Sequence, residues 1–479
     1  MSDSKLSFST LSLSPEILQV ISELGYTEMT PVQAQSIPAL LMGRDFIGQS
    51  KTGSGKTAAF TLPILQKLSE KKIDLQRKIS IHALILCPTR ELCSQVTREI
   101  RKLGRKHMGL KILALSGGQP LGPQIRALTE GVHIIVGTPG RVLDHIEKNT
   151  LNLSQISTLV LDEADRMLDM GFDEEMSAIF KVLPLEKQTV FFSATFPHTI
   201  ESLSKQFQKD AVRVTIEDDD VKASIQQVYL ELEDERFEDK VKAILWLLAN
   251  YEPESSIIFC NFKASVADLA AELKFHGASA QGLHGDLEQP ERDSIMAKFR
   301  NGSIRVLVAT DVAARGIDIT DLDLVANFEF PKQKEIYIHR IGRTGRAGKS
   351  GIAVSLILPK EISKIKAMEA FTQQKLEKIE TETSLNELSF VEIKKELRQH
   401  AKMETLFISG GRKNKIRPGD ILGALTGDAG GLLGSDIGKI EIHDFFSYVA
   451  IAKKVSRLAL SRLQDGKIKG LRFRVEIAR

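Results

Sequence analysis

Short apolar runs alternate with longer helix-like stretches along this chain, and the alternation takes place twice. Runs of this kind are typical of strands buried on both faces of a parallel sheet, because helices cover both faces. The pattern therefore predicts an α/β protein with two similar lobes in tandem. The predicted strands are Ala83–Leu86, Ile134–Val136, Leu159–Leu161 and Val190–Phe192 in the first lobe, and Ile257–Phe259, Val306–Val308, Leu324–Ala326 and Ile352–Leu356 in the second.

A third, smaller unit follows a charged helical stretch that begins after Pro359. From Leu406 to Ile477 the pattern is strand, helix, strand, strand, helix, strand. This order predicts a small α+β domain with two helices on one face of its sheet. The expected boundaries are residues 1–215 for lobe one, 216–224 for an acidic linker, 225–375 for lobe two, 376–401 for a helical linker and 402–479 for the C-terminal domain.

Composition narrows the class of protein. The chain has 479 residues, enough for about three domains of typical size. No apolar run approaches the ~18 residues of a membrane helix, and residues 1–5 open no signal-peptide core. The cysteines Cys87, Cys93 and Cys260 form neither a disulfide framework nor a paired metal-ligand set. These features predict a cytoplasmic protein without membrane contact.

Charge is distributed unevenly along the chain. The formal net charge is +3, but residues 402–479 hold 15 Lys and Arg against 8 Asp and Glu, which is +7, so the rest of the chain is −4. This asymmetry favours a polyanion-binding module attached to an enzyme body. A solvated basic face without a partner is the alternative.

The run Ser50–Thr57, Ser-Lys-Thr-Gly-Ser-Gly-Lys-Thr, directly follows Asp45-Phe46-Ile47-Gly48-Gln49. Glycines at positions 53 and 55 allow backbone N–H groups to close around phosphates. Lys56 reaches the β and γ oxygens, and the Thr57 hydroxyl ligates Mg²⁺. The run predicts a site for ATP or a related nucleoside triphosphate.

Asp162–Asp165, Asp-Glu-Ala-Asp, ends the predicted strand Leu159–Leu161. Ligands bind at this carboxyl edge in open α/β sheets. Asp162 would hold Mg²⁺ through water, and Glu163 would orient or deprotonate the attacking water. Taken with the phosphate loop, these carboxylates predict a nucleotide hydrolase.

Three arginines lie in the run His339–Arg346 of lobe two. A structural helix would not need so many guanidinium groups, so we expect Arg343 and Arg346 to act as arginine fingers that neutralise charge on the γ-phosphate. A surface basic cluster is the alternative.

Together, these motifs resemble those of the DEAD-box RNA helicases. The resemblance spans roughly residues 8–360 and implies two RecA-like lobes and ATP with Mg²⁺ as cofactors. The run Gly25–Gln33 resembles the Q motif, in which Gln33 would read the adenine edge and Phe8 would stack on the ring. The cofactor-binding residues that the resemblance implies are Phe8, Gln33, Ser54, Gly55, Lys56, Thr57, Gly316 and Asp318.

The same resemblance implies a set of RNA-binding residues. Ser193-Ala194-Thr195 resembles the element that couples hydrolysis to unwinding through Ser193 and Thr195. Contacts to phosphate and sugar explain why such a core binds RNA with little sequence preference. The implied RNA contacts of the core are Pro88, Thr89, Arg90, Gly118, Thr138, Arg141 and Thr310.

The run Thr405–Ile421 resembles the start of the RRM-like RNA-binding domain of the DbpA subfamily. That subfamily is directed to a 23S rRNA hairpin near the peptidyl-transferase centre and acts in assembly of the large ribosomal subunit. The resemblance implies RNA contacts by Arg412, Lys413, Lys415 and Arg417.

Whether bases stack on the sheet of this domain is left open by the sequence. Phe407, Phe446 and Tyr448 fall at the aromatic platform positions of RRM domains, but Asp444 and Ile451 depart from the usual signature. The aromatic residues could instead be packing residues. The basic loop Arg412–Arg417 and the helix that bears Lys453, Lys454, Arg457 and Arg462 are then the alternative RNA surface.

The motifs and the family resemblance together imply an ATP-dependent RNA helicase, expected to be a monomer, that unwinds short duplexes locally on 23S rRNA. An ATP-gated RNA clamp without productive unwinding would use the same residues and is the alternative. A DNA translocase is disfavoured by the Q motif and the RRM-like domain.

Overall fold

A computed structural model of the chain describes most of its residues. Lobe one forms one compact unit, and lobe two forms a second compact unit together with the C-terminal domain. The acidic linker expected at 216–224 lies outside the described residues. The described ranges are 7–50, 54–70, 79–196, 198–215, 225–314, 319, 321–345, 350–380, 389–397, 400–427 and 431–478.

Lobe one is a seven-stranded parallel sheet with the order β3-β4-β2-β5-β6-β1-β7. Its strands are β1 (Phe46–Gln49), β2 (Ala83–Leu86), β3 (Ile112–Leu115), β4 (Ile134–Gly137), β5 (Thr158–Asp162), β6 (Gln188–Ser193) and β7 (Val212–Thr215). Its helices are α1 (Pro15–Glu23), α2 (Pro31–Leu41), α3 (Lys56–Glu70), α4 (Arg90–Leu103), α5 (Leu121–Thr129), α6 (Pro139–Glu147), α7 (Ala164–Asp169), α8 (Asp173–Val182) and α9 (His198–Phe207).

Strand β2 shows why polar and apolar residues do not alternate along the predicted strands. Ala83 and Ile85 belong to the hydrophobic core on one face of the sheet, whereas Leu84 and Leu86 belong to the core on the other face. Successive side chains of a strand point to opposite faces, so a strand covered on both sides must be apolar at every position.

Lobe two repeats this architecture as a second seven-stranded parallel sheet with the order β10-β11-β9-β12-β13-β8-β14. Its strands are β8 (Ile225–Glu231), β9 (Ser256–Cys260), β10 (Ala280–Leu283), β11 (Val306–Thr310), β12 (Leu324–Asn327), β13 (Gly351–Ile357) and β14 (Glu377–Lys378). Its helices are α10 (Phe237–Tyr251), α11 (Lys263–Phe275), α12 (Gln289–Arg300), α13 (Asp311–Ala314), α14 (Lys334–Ile341), α15 (Ile362–Thr372) and α16 (Phe390–Glu396).

The segment 376–401, expected to be a helical linker, belongs in part to the body of lobe two. Strand β14 pairs with β8 at the edge of the sheet. On α16, the ring of Phe390 stacks on His276 at a centroid distance of 4.2 Å, and Ile393 is buried in the lobe-two core. The segment therefore extends the lobe as well as connecting it to the next domain.

The C-terminal domain has the predicted βαββαβ order and a four-stranded antiparallel sheet with the order β16-β17-β15-β18. Its elements are β15 (Met403–Ile408), α17 (Pro418–Thr426), β16 (Ile437–Ile442), β17 (Ser447–Ala452), α18 (Ser456–Asp465) and β18 (Val475–Ile477). The prediction of two parallel-sheet lobes and a small α+β domain is confirmed. In the part of the chain that the structure describes, no helix is long and apolar enough to cross a membrane.

Candidate active site and RNA interface

The motifs of lobe one lie along one edge of its sheet. Strands β5, β6 and β1 are neighbours, and at their carboxyl ends lie Asp162, Ser193 and the phosphate loop. Strands β3, β4 and β2 form the other half of the sheet and lead into the glycine pair at 117–118, the run at 138–141 and the run at 88–90. Parallel strands end at the same edge, so the fold gathers the motifs predicted to bind the nucleotide in one half of the sheet (the nucleotide half) and those predicted to bind RNA in the other (the RNA half).

The described part of the phosphate loop is held by its own polar groups. Lys56 is only 6% exposed, and its Nζ donates to the carbonyl of Ser50 at 3.0 Å. Gly55 has a φ of +94°, and a Cβ there would lie 2.5 Å from Nε2 of Gln33. A side chain at position 55 would thus be strained and would displace the glutamine.

Gln33 connects the Q motif to this loop. Its Oε1 accepts from the backbone N of Thr30 at 3.0 Å as part of a capping box that starts α2, and its Nε2 donates to the carbonyl of Gly55 at 3.2 Å. The Thr30 hydroxyl donates to the carbonyl of Ser54 at 2.8 Å. The side chain expected to read adenine is therefore fixed against the phosphate loop.

The structure places Phe8 differently from the expectation. Its ring is only 3% exposed because it packs in the lobe-one core, and it lies roughly parallel to Tyr26 at a centroid distance of 6.4 Å. An adenine could stack on Phe8 only if this ring became uncovered.

Asp162 ends β5 as a buried carboxylate. Burial raises the pKa of Asp162 to about 6, against the opposing effect of the Lys56 charge. Its Oδ1 is buried and has no hydrogen-bond partner among the described residues. A buried carboxylate oxygen costs free energy unless it binds a donor or a cation. With the hydroxyl of Thr57 at the start of α3, this oxygen fits the hard oxygen ligands that Mg²⁺ prefers.

Glu163 lies at a sharp change of direction between β5 and α7. Its φ is +58°, in the left-handed region that non-glycine residues rarely adopt. Its Oε2 accepts from Nη1 of Arg166 at 2.9 Å, and both side chains are 5% exposed. The backbone turn and this buried ion pair fix the carboxylate beside Asp162.

Asp165 joins the Asp-Glu-Ala-Asp run to the Ser-Ala-Thr run. Its Oδ2 accepts from the backbone N of Ala194 at 3.1 Å and from both the backbone N and the hydroxyl of Thr195 at 2.9 Å. The Ser193 hydroxyl donates to the carbonyl of Thr195 at 2.6 Å. A movement of either run must therefore move or break this carboxylate bridge, whose partners sequence reasoning missed.

In the RNA half, Arg90 lies over the glycine pair. A Cβ on Gly118 would lie 2.2 Å from Nη1 of Arg90, and one on Gly117 would lie 3.2 Å from Nη2. Gly118 also has a φ of +74°. The two glycines thus leave room for the guanidinium group. Thr89 caps α4 through its hydroxyl, which accepts from the backbone N of Leu92 at 3.2 Å.

Arg141 is held by the segment after β3. Its Nη1 donates to the carbonyl of Gln119 and to Oε1 of Gln124, each at 3.0 Å. The same Oε1 lies 2.9 Å from Nε2 of the buried His145. Burial lowers the pKa of His145, and the Arg141 charge adds to this effect. Thr138 precedes α6 as its N-cap residue.

In lobe two, Arg340 is a structural residue, so the expectation that a structural helix would not need these arginines is wrong for it. It is 1% exposed, and its Nε and Nη2 bind the two carboxylate oxygens of Asp311, each at 2.7 Å. It also donates to Oδ1 of Asn261 at 2.7 Å and to Oδ1 of Asn327 at 2.9 Å. Arg340 thereby joins the carboxyl ends of β9, β11 and β12.

The other lobe-two residues are only partly described. The Thr310 hydroxyl accepts from the backbone N of Ala313 at 3.3 Å, and Arg343 is 6% exposed. Arg346, Gly316 and Asp318 lie outside the described residues.

The sheet face of the C-terminal domain packs on lobe two. Tyr448 and Ala478 form a buried cluster with Ala297 of α12, and Phe407 and Phe446 pack against that cluster. Polar contacts surround it, including a hydrogen bond of 2.9 Å between the Asn301 amide and the Thr405 hydroxyl. The aromatic residues at the platform positions are therefore packing residues in this structure, because α12 covers them.

The basic residues of the C-terminal domain lie at its two ends. Arg412, Lys413, Lys415 and Arg417 are exposed at the end where β15 leads into α17. Lys453 and Lys454 follow β17 at the opposite end, and Nζ of Lys454 pairs with Asp436 at 2.9 Å. Lys453 and Lys454 therefore lie apart from the basic loop Arg412–Arg417, whereas Arg462 lies in the last turn of α18, at the other end of that helix from them.

Comparisons with known proteins show which families the chain resembles. The DEAD/DEAH box helicase family matches residues 30–203, the helicase conserved C-terminal domain matches 239–348, and the DbpA RNA binding domain matches 405–477. The chain is 46% identical to the ATP-dependent RNA helicase DbpA of Escherichia coli over 98% of this chain and 99% of that protein. It is 43% identical to the DEAD-box ATP-dependent RNA helicase CshA of Bacillus subtilis over 79% of this chain and 75% of that protein. The structure of Saccharomyces cerevisiae Dbp5 bound to RNA and ADP BeF3 matches with a TM-score of 0.70 at 32% identity, covering 82% of this chain and 100% of that one.

Proposed function

Because the chain belongs to the DEAD-box family of ATP-dependent RNA helicases, we propose that it unwinds short RNA duplexes locally on 23S rRNA during assembly of the large ribosomal subunit. The helicase core supplies ATP hydrolysis and RNA-backbone binding, and the C-terminal domain chooses the RNA. The protein acts as a monomer in the cytoplasm.

The nucleotide half of lobe one provides the hydrolytic groups. Lys56 neutralises phosphate charge, and Glu163, fixed by Arg166, positions the attacking water. Thr57 and Asp162 would hold Mg²⁺, which offsets the charge on the phosphates when it is bound. Gln33 and Ser54 to Gly55 contact the nucleotide, and Arg343 and Arg346 of lobe two neutralise γ-phosphate charge.

The bridge from Asp165 to Thr195 supports coupling between hydrolysis and RNA binding. Asp165 is two residues from Glu163, and its carboxylate holds the run that contains Ser193 and Thr195. A change at the nucleotide is therefore transmitted directly to the Ser-Ala-Thr run. Arg90, Arg141 and the turn at Gly118 bind the RNA backbone, and their contacts carry no sequence information.

The observation that carries the targeting proposal is the exposed basic loop Arg412–Arg417, in a domain whose sheet face is covered by α12. Since covered aromatic residues cannot stack on bases, recognition falls to the exposed end of the domain. Two similarities support this assignment. The chain is similar to the ATP-dependent RNA helicase DbpA, and residues 405–477 match the DbpA RNA binding domain.

The test uses the full chain, because deleting the C-terminal domain would also expose the apolar surface around Ala297. One variant replaces Arg412, Lys413 and Lys415 by Gln, and its matched control replaces Lys453, Lys454 and Arg457 by Gln. Binding to a transcript of the 23S rRNA peptidyl-transferase region is measured in competition with random RNA of the same length. We expect the first variant to lose its preference for the rRNA transcript over random RNA. Its plot of log binding constant against log salt concentration should become less steep, by the amount that corresponds to the loss of about 2 to 3 phosphate contacts.

The targeting proposal is wrong if the first variant keeps the full preference, and a loss confined to the control would move the RNA surface to the opposite end. ATP-driven separation of a short duplex joined to the same transcript distinguishes unwinding from clamping. A clamp would bind in an ATP-dependent way without releasing the strand.

A further inference from the structure

Three loops meet at the basic end of the C-terminal domain. The backbone N of Arg412 donates to the carbonyl of His443 at 2.9 Å, and that of Lys413 donates to the carbonyl of Asp444 at 2.9 Å. From a third loop, Nζ of Lys469 donates to the carbonyl of Lys415 at 2.8 Å. The loop after β15, the β16–β17 hairpin and the loop before β18 therefore form one surface.

Gly411 makes the contact between the first two loops possible. A Cβ at this position would lie 2.3 Å from the carbonyl oxygen of His443 and 2.7 Å from the backbone N of Phe446. Real Cβ contacts are not this short, so only glycine allows the two backbones to approach. The hairpin tip is thus held in a defined position against the basic loop.

This surface is strongly basic. Asp444 is its acidic residue at the hairpin tip and is paired with Nε of Arg412 at 2.9 Å, while Asp420 accepts from the backbone N of Arg417 at 2.8 Å. The exposed cations are Arg412, Lys413, Lys415, Arg417, Lys467 and Lys469. Positive charge therefore exceeds negative charge here, as a phosphate-binding surface requires.

Phe445, at the hairpin tip, is 62% exposed within this basic surface. The other aromatic side chains of the described domain are less exposed, because Phe407, Phe446 and Tyr448 face α12 and Phe473 packs against Gly410. A single exposed aromatic residue is common on protein surfaces. An exposed ring on a loop that is held against exposed cations is, however, the combination by which proteins hold an unpaired base and its flanking phosphates.

We propose that Phe445 stacks on an unpaired base of the bound RNA while the surrounding cations hold the adjacent phosphates. The proposal rests on the proposed function, since it takes structured RNA to be the partner, and it adds the residue that recognises an unstacked loop or bulge base. Phe445 at the hairpin tip thus provides the base stacking that the covered aromatic residues of the sheet cannot provide.

The test measures equilibrium binding of the full chain to an RNA hairpin from the peptidyl-transferase region of 23S rRNA. Variants Phe445→Leu and Phe445→Trp are compared, because leucine keeps apolar contact without a ring and tryptophan keeps a ring. We expect Phe445→Leu to weaken binding by about 10- to 100-fold and Phe445→Trp to retain it. The salt dependence is expected to stay unchanged, since no charge is removed.

A 2-aminopurine placed at each loop position in turn gives a direct readout of stacking. At one position we expect quenching with the wild-type chain that is lost in Phe445→Leu. Leu433→Ala is the matched control, because Leu433 is 68% exposed and precedes β16 at the opposite end of the domain. This control should bind as the wild type does.

The outcomes separate the two proposals. If wild type shows no preference for the rRNA hairpin over a hairpin of unrelated sequence, the targeting function fails. If wild type shows the preference but Phe445→Leu binds equally well and no probe position changes, the stacking role is wrong and the exposed ring serves another partner, such as a protein.

Discussion

Arg300 of α12 and Glu441 of β16 form a two-pronged ion pair between lobe two and the C-terminal domain, with Nε to Oε1 at 2.9 Å and Nη2 to Oε2 at 2.7 Å. The side chains are 21% and 11% exposed. Parallel N–H···O bonds of this kind fix orientation as well as adding energy. The pair therefore orients the C-terminal sheet on α12, around the apolar contact of Tyr448 with Ala297.

Removal of one partner of this pair should destabilise the domain contact. We expect Glu441→Ala to lower the free energy of unfolding by about 1–3 kcal/mol, because Arg300 then keeps a partly buried charge without its carboxylate. A double-mutant cycle with Arg300→Ala, followed by chemical denaturation, measures the coupling. The exposed pair Arg474 and Glu476 is the control and should contribute under about 1 kcal/mol. Equal coupling in both pairs would contradict this view of the interface.

The same pair predicts a pH dependence. Burial raises the pKa of Glu441, but the hydrogen bonds and charges of Arg300 and, to a smaller extent, Lys439 together outweigh burial and hold the pKa below its ordinary value. A carboxylate with a lowered pKa in the folded state contributes stability above its unfolded pKa and loses it as pH falls through the folded pKa. The difference in unfolding free energy between wild type and Glu441→Gln should therefore shrink below about pH 4.5. A difference that stays constant down to pH 3 would show that ionisation of Glu441 is unimportant.

Lys298 should destabilise the folded chain at neutral pH, where Glu441 stabilises it. Burial lowers the pKa of Lys298 to about 8, and the charge of Lys274 adds to this effect. At pH 7 the lysine is charged in the folded and the unfolded chain, so folding buries a charge and the free energy of unfolding is lowered. This destabilisation disappears as the pH rises from about 8 towards the pKa of the lysine in the unfolded chain. Lys298→Met should raise the unfolding free energy by about 1–2 kcal/mol at pH 7 and by less at pH 10. Lys366→Met, at an exposed position of α15, serves as control. Destabilisation by Lys298→Met at pH 7 would contradict this prediction.

A substitution at Gly118 tests whether Arg90 needs the space that the glycine pair 117–118 leaves for its guanidinium group. Gly118→Ala should weaken RNA binding by about 10-fold or more, because its Cβ would displace the guanidinium group and its φ of +74° disfavours alanine. ATP binding without RNA should change little. Gly122→Ala is the control, since a Cβ there meets nothing within 4 Å. RNA affinity measured by fluorescence anisotropy should separate the two variants, and equal affinities would mean that Arg90 needs no such space.

Glu163→Gln tests the hydrolytic assignment. The amide cannot accept a proton from water, so we expect RNA-stimulated turnover to fall by ~10² or more while ATP and RNA binding are retained. Glu174→Gln on the exposed first turn of α8 is the control. Turnover is measured by phosphate release at saturating RNA, and a near-normal rate in Glu163→Gln would remove this residue from the mechanism.

The sequence by itself determined the fold class and the helicase family, for a local reason. A buried parallel strand needs an apolar run such as Leu159–Leu161, and a phosphate loop needs glycine, lysine and threonine in adjacent positions such as Ser50–Thr57. Both signals lie within a few neighbouring residues. The order of strands and helices in the C-terminal domain is predictable for the same reason, because the spacing of apolar residues within each short segment distinguishes a strand from a helix.

Only the tertiary structure decided which partners distant residues have. Arg340 and Arg343 are three positions apart in one arginine-rich run, yet only the fold shows that Arg340 is an internal hub bound to Asp311 and Asn261. The sequence around Tyr448 is compatible with both stacking and packing, and the contact with Ala297 of α12 makes it a packing residue. Asp311 and Asn261 lie 29 and 79 positions from Arg340, and Ala297 lies in a different domain from Tyr448, so no local pattern records which side chains meet.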